Sequence, residues 1–438
     1  MKEQIMAKTS SSNQTSITIR DIVTEVTSSI QGKLCQKSPI PSKCSIFRVP
    51  DRLRKHNEKA FEPELVSIGP FHHGKEKLQA MEKIKLWYLH CLLDRAQTTR
   101  TTLKCFVEAI GRIEKECRAC YAEEILVPEK DFIEMLVVDG CFILELFRKC
   151  SGQVQPDIED PVFYMPWMNW RLANDVRLLE NQLPWRVLDC LFYLTKSHAE
   201  ETSLPNLVLS SYGFIWPLRD NLKHDHILDC LRNSAIGTST VKPAPKTLQR
   251  YLITSMEQIP SVIELVQAGV KFKAGDKNNS PLDVTFKDGV MTIPPLNVWE
   301  DIRSVYRNFI AFEQCDPSKD FEITSYAKLL ADLINNNQDV DFLKDKGILS
   351  LYLGTEDVAS IYNRLYSDAS VGAFLYSDLY REVNAYCRRP CNRWRATFKR
   401  DYFGNPWSII SLMAAFLILV FTFSQTLYSV LSYHKRPS

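Results

Sequence analysis

The sequence carries almost no excess charge of either sign: 54 Lys and Arg against 52 Asp and Glu leave a formal net charge of +2 over 438 residues. So close a balance excludes a global field for nucleic acid or an acidic substrate, and only local charge can inform. Also missing are a GxxxxGK[ST] phosphate loop, a GxGxxG fingerprint after a strand, a GxSxG elbow and the protein-kinase motif set. Their absence argues against nucleotide chemistry and standard serine hydrolysis. With no basic domain surface and no known reading module, no nucleic-acid partner is expected. The thirteen cysteines, from Cys35 to Cys391, lack the short regular spacing of a secreted disulfide scaffold, which indicates a reducing compartment. The opening residues, MKEQIMAKTSSSNQTSITIRDIV, hold no apolar stretch of the roughly 7 to 15 residues that a secretory leader needs. There is no HExxH and no pair of CxxC motifs, so neither a metal nor another cofactor is expected.

What is present is a long apolar block near the C-terminus. Trp407 to Val430 contains no Asp, Glu, Lys, Arg or His, and about 20 such residues suffice to cross a bilayer. This predicts a transmembrane helix over 407–430 with a short tail, 431–438. Pro406 suits its first turn, Trp407 and Tyr428 suit the two interfaces, and Ile409, Leu412, Phe416, Leu419 and Phe423 would meet lipid. By contrast FIEMLVVDGCFILELF, Phe132 to Phe147, is interrupted by Glu134, Asp139 and Glu145 and predicts a buried helix.

The approach to the block, 376–406, predicts a basic juxtamembrane helix with Arg381, Arg388, Arg389, Arg393, Arg395, Lys399 and Arg400, against only Lys435 and Arg436 beyond it. Basic residues favour the cytoplasmic side, so the N-terminal body is expected in the cytosol of a tail-anchored, single-pass protein at the plasma membrane or an endomembrane. The same residues could attract anionic lipid or serve only as a topology signal. Cys387 and Cys391, in CRRPC, have metal-like spacing but no second pair, and palmitoylation is the better functional reading. The sequons at Asn13 and Asn278 fall on the cytosolic side and are expected to carry no glycan.

Residues 1–44 read as a flexible arm with a short helical pattern from Ile19 to Ile30, and 45–375 as the globular body, with 233–247 as an insert or boundary. Helices are expected near 78–92, 103–121, 130–148 and 299–314, with Pro184 kinking or restarting the run that begins at Asn174. LDVTFKDGVMTIPPL predicts a hairpin turning at Asp288-Gly289. The fold class is thus mainly α: a multi-helix globular body with a small β-hairpin element and a single C-terminal transmembrane helix.

Asp139, Glu145 and Glu180 are acids in apolar surroundings, where a carboxylate must find a partner or stay protonated. One reading is a structural polar network, joining Asp139 and Glu180 to Asn181, Gln182 and an arginine such as Arg48 or Arg177. The other is an acid–base pair, Asp139 with Glu180, in an enzyme of unrecognised type. His72-His73 reads as packing behind the Gly69-Pro70 turn more readily than as a metal site, and Cys117 with Cys120 lacks the context of a redox motif.

Several segments together resemble a known family: SIFRVPDRLRKHNEKAFEPELVSIGPFHHG, MEKIKLWYL, VVDGCFILELF, NDVRLLENQLPWRVL, LVQAGVKFK, YRNFIAFEQ and FGNPWSIIS, in this order. They are similar to the plant family known as domain of unknown function 247, from about Ser45 onward; MEQIP departs from its pattern. The resemblance implies a tail-anchored helical protein of plants with a recognition or signalling role and no demonstrated reaction. Some members in grasses resemble determinants of pollen self-incompatibility. The expected partners are membrane lipid and an unidentified protein, a paralogue being one option.

Overall fold

The computed structural model describes residues 19, 21–34, 44–55, 57–96, 101–196, 202–213, 222–237, 239, 258–299, 301–352, 355–365, 369–372, 374–389 and 406–434. The chain divides into two units, 1–44 and 45–438. The first holds helix α1, residues 21–33. Ile22, Val23, Val26 and Ile30 recur on it at helical spacing and are exposed.

The second unit is mainly helical. In chain order it contains the single turn α2 (Asp51–Arg54), α3 (Ala80–Ala96), α4 (Leu103–Arg118), α5 (Glu129–Cys150), the short α6 (Pro161–Tyr164), α7 (Pro166–Asp175), α8 (Trp185–Thr195), α9 (Leu204–Ser211) and α10 (Ile227–Gly237). After these come α11 (Val262–Gln267), α12 (Ile302–Cys315), α13 (Glu322–Leu333), α14 (Asn337–Asp345), α15 (Thr355–Leu365), α16 (Ser377–Cys387) and α17 (Pro406–His434).

Helix α5 is the hub of the first half, because a helix that is apolar around most of its circumference must be covered on all sides. Phe132, Leu136, Cys141, Phe142, Ile143 and Leu144 are buried on it, and α3, α4, α8 and α9 pack about it. Gly140 permits the approach of α8: a Cβ there would lie 2.5 Å from Leu191 Cδ1 and 3.3 Å from Val187 Cγ1. Pro184 occupies the N-cap of α8, and 176–184 before it are not helical. The proline therefore restarts the chain as a new helix and kinks nothing, since its missing N–H is harmless at a helix entry. In the second half α12, α13 and α15 pack together.

The small β element is present. Strands β1 (Lys271–Ala274), β2 (Thr285–Lys287) and β3 (Val290–Ile293) form a sheet in the order β1-β3-β2. The β2–β3 hairpin pairs Phe286 with Met291 and turns through Asp288 and Gly289, at φ 52° and 77°, the positive values that suit a two-residue hairpin turn. A second, parallel pair joins β4 (Leu296–Val298) to β5 (Leu349–Leu351).

The expected insert or boundary differs in detail. Asn233 to Gly237 close α10, so the segment 233–247 begins inside a helix, and 240–247 lie outside the described residues. Ser203 caps α9 by accepting from Asn206 N–H. Of the juxtamembrane stretch 376–406, α16 covers 377–387, and 390–405 lie outside the described residues. Helix α17 runs for 29 residues. Its window Met413–Leu431 has a mean hydropathy of 1.8, no part of it is buried, and it is long and apolar enough to cross a membrane.

Candidate functional site

Residues 45–74 form a strap over the helices. Apart from α2, a 3-10 turn, Glu58–Phe61, and an isolated bridge from Ile46 to Tyr121, the strap has no regular structure, yet Val66, Ile68, Phe71 and His72 are buried. Buried N–H groups need acceptors, and here side chains of other segments supply them. Glu64, Leu65 and Val66 N–H donate to the Asp175 carboxylate at 2.9, 2.7 and 2.9 Å. Ile68 N–H donates to Asn181 Oδ1 at 2.7 Å, Gly69 N–H to Asp139 Oδ2 at 2.8 Å, and Val49 N–H to Glu180 Oε1 at 2.6 Å. Asn181 Nδ2 donates in turn to the Val66 and Asp175 carbonyls. Gln182 Nε2 donates to the carbonyls of Val176 and Leu178, and its Oε1 accepts from Leu228 N–H. On α12, Asn308 donates to the Ala60 carbonyl at 2.8 Å and accepts from Leu179 N–H at 2.9 Å, clamping the strap to the second half.

Each of the three acids also meets a cation. Lys85 Nζ lies 2.6 Å from Asp139 Oδ1 and 2.8 Å from Glu82. Burial pushes the Asp139 carboxyl up, against the pull of Lys85 and of Gly69 N–H. Burial would lower Lys85, but Asp139 and Glu82 hold it above its ordinary value, so it stays cationic. Glu180 pairs with Arg54, with Arg48 Nη1 at 3.7 Å and with His72 Nε2 at 3.4 Å. Burial raises Glu180, but the nearby His72, Arg54 and the Val49 N–H outweigh it and hold the carboxyl below its usual range. Burial lowers His72. Glu145 takes a two-pronged pair with Arg95. The arginine anticipated beside Glu180 is thus chiefly Arg54. Arg177 instead pairs with Asp301 and Asn174.

Three further clusters have no counterpart in the sequence reasoning. Asp160 accepts from Tyr88 Oη and Lys149 Nζ, 3.0 and 2.7 Å away. Arg232 joins Glu313 and Glu322. Lys319 bridges Asp225 and Asp229, each at 2.9 Å. The available signals were Asp160 directly before a proline, an N-cap pattern, and Arg232 inside an apolar helical run.

The other sequence candidates divide as follows. His72 is buried and His73 is exposed, and among the described residues no group of three or more His, Cys, Asp or Glu could hold a metal ion. Cys117 is buried and Cys120 half-buried, and burial pushes the Cys117 thiol up to about 12. Cys387 is half-buried and its thiol is raised by burial; Cys391 lies outside the described residues. Phe416, Leu419, Phe423 and Tyr428 are exposed on α17. Trp407, Ile409 and Leu412 lie in its helix, and their side chains are outside the described ones.

Beside the strap lies an open groove of about 390 Å³ whose walls include Lys59, Glu62, Glu64, Trp170, Asp175 and Arg303. Asp139, Glu145 and Glu180 do not line it. Asp175 reaches it from beneath the strap, and burial pushes its carboxyl up to about 6 despite three backbone hydrogen bonds.

Comparison with known proteins agrees with the arrangement of segments. Residues 46–421 match the family model described as DUF247, plant protein of unknown function. The Arabidopsis thaliana "UPF0481 protein At3g47200" is 30% identical over 416 residues, covering 89% of this chain and 87% of the relative. The "Putative UPF0481 protein At3g02645" of the same plant is 22% identical over 492 residues, covering 90% and 91%. No solved structure matches.

Proposed function

Because this chain belongs to the plant DUF247 family, whose function is unknown, we propose that it is a membrane-anchored recognition or signalling protein that works by binding a partner. The observation that carries the anchor is that α17 buries no part of its most apolar window. A core helix of that hydropathy would be covered by its own protein, whereas an uncovered one of this length suits lipid. The basic residues before it, among them Arg381, Arg388 and Arg389, support a cytosolic body with a single C-terminal span in the plasma membrane or an endomembrane.

Binding is favoured over catalysis by the state of the singled-out acids. Asp139, Glu145 and Glu180 are 1%, 0% and 2% exposed, and each is committed to a cation. A general acid or base must come within hydrogen-bond reach of the substrate, whereas Asp139 and Glu180 face the strap and Glu145 faces Arg95 on α3.

The test is deletion of Trp407 to Ser438. The full chain should resist carbonate extraction and the truncated chain should be soluble. Retention of the truncated chain in the membrane fraction would remove the anchor from the account. Orientation is read at Asn278, which is exposed: a glycosidase-sensitive mobility shift, lost in Asn278→Gln, would put the body outside the cytosol.

A further inference from the structure

The groove beside the strap holds unbalanced charge. Four of its lining residues are acids, and each is already engaged. Glu62 pairs with Lys75 and Lys77, Glu64 with Arg171, Asp301 with Arg177, and Asp175 accepts three strap amides. Of the three lining cations, Arg171 serves Glu64. Lys59 and Arg303 make no hydrogen bond or ion pair among the described residues.

Arg303 is half-buried, and a guanidinium withdrawn from water without a carboxylate has a geometry suited to a planar or tetrahedral anion. It sits in the first turn of α12, the end of a helix that favours negative charge. Asp301, at the N-cap of α12, makes no cap hydrogen bond there, its carboxylate being turned to Arg177. No side chain among the described residues therefore caps the N–H groups at this helix end.

One lining residue is aromatic. Trp170 lines the groove and is 43% exposed. Its ring lies 6.4 Å from that of Trp299, which stacks flat on Tyr352 at 3.8 Å and 6°. Exposed indole faces beside a cation are suited to a flat ring, and the volume falls within the roughly 300–1,000 Å³ of small-molecule sites.

We propose that this groove binds a small organic anion, a carboxylate or phosphate joined to a flat ring, with the charge on Arg303 and Lys59 and the ring against Trp170. The assignment rests on reading the protein as a binding module, and it is tested so that the two can fail separately. Full-length protein in a neutral maltoside detergent is dialysed against phenyl phosphate, inorganic phosphate and phenol.

Phenyl phosphate should bind at one site, about tenfold tighter than either inorganic phosphate or phenol. Arg303→Gln and Lys59→Gln, the latter at an exposed position, should each weaken it by about three- to tenfold, as should Trp170→Ala. Lys104→Gln, on α4, should leave it unchanged. Thermal melts of each variant separate lost binding from lost folding. Absence of saturable binding up to about 10 mM, equal binding of phenol, or unchanged affinity in both Arg303→Gln and Lys59→Gln would overturn the site. Release of phenol from phenyl phosphate would instead count against the binding-module reading while leaving the groove assigned.

Discussion

Lys85 on α3 and Asp139 on α5 form an ion pair 2.6 Å long with side chains 0% and 2% exposed. Their contact spans the junction between the hub helix and the strap, since Asp139 also accepts Gly69 N–H and Lys85 donates to the Ser67 carbonyl. Lys85→Met should cost about 3–5 kcal/mol in urea unfolding, because it leaves a buried carboxylate without its cation. Adding Asp139→Asn should recover part of this, since the amide keeps an acceptor for Gly69 without a charge. Equal loss in the single and double variants would mean that charge is not the cause.

Glu180→Gln should destabilise the protein by about 3 kcal/mol near pH 7, with Arg54 losing its anion. Glu180 is held below its ordinary value in the fold. Its stabilisation is therefore full above the unfolded carboxyl value and fades as pH falls through the folded one. The gap between wild type and variant should narrow below about pH 4.5, as read from melting temperatures across pH.

Asp175 has the opposite sign. Its carboxyl is raised from 3.8 to about 6, so the fold prefers the protonated form. The stability it contributes is greatest below the unfolded value and is lost as pH rises to about 6. Asp175→Asn should therefore lag wild type more at pH 4.5 than at pH 7.5. A gap that grew toward neutral pH would contradict the assignment.

Gly69 adopts φ +70°, and a Cβ there would lie 2.7 Å from the Gln182 carbonyl oxygen and 3.0 Å from Tyr121 Oη. Gly74 has φ +78° with nothing nearby. Gly74→Ala should cost about 1–2 kcal/mol from backbone strain alone. Gly69→Ala should cost about 1–3 kcal/mol more, because carbonyl and hydroxyl must move as well. Equal melting temperatures for the two variants would show that the strap gives way freely.

Local pattern made the helical body and the hairpin at Asp288-Gly289 legible, because period and turn chemistry are properties of neighbours. Helix α14 escaped notice: NQDVDFLKD carries few apolar residues, and it is started by an Asn336 cap with Asp339. The β4–β5 pair joins Asn297 to Ser350, a pairing that no local signal announces. At the site, apolar surroundings flagged Asp139, Glu145 and Glu180, but their partners Lys85, Arg95 and Arg54 are set by helix packing. The groove was invisible in sequence because its lining comes from distant segments, with Lys59 on the strap, Trp170 on α7 and Arg303 on α12.

The clamp at Asn308 bears on how the chain is made. The Ala60 carbonyl waits for partners 244 and 248 residues downstream, Ser304 and Asn308. At about 5–20 residues per second, a ribosome takes on the order of tens of seconds to travel that far. Throughout that interval the strap has emerged while α12 has yet to be synthesised. The helices around α5 can assemble during translation and take up most of the strap, but the clamp at Ala60 cannot close until the second half has followed it out.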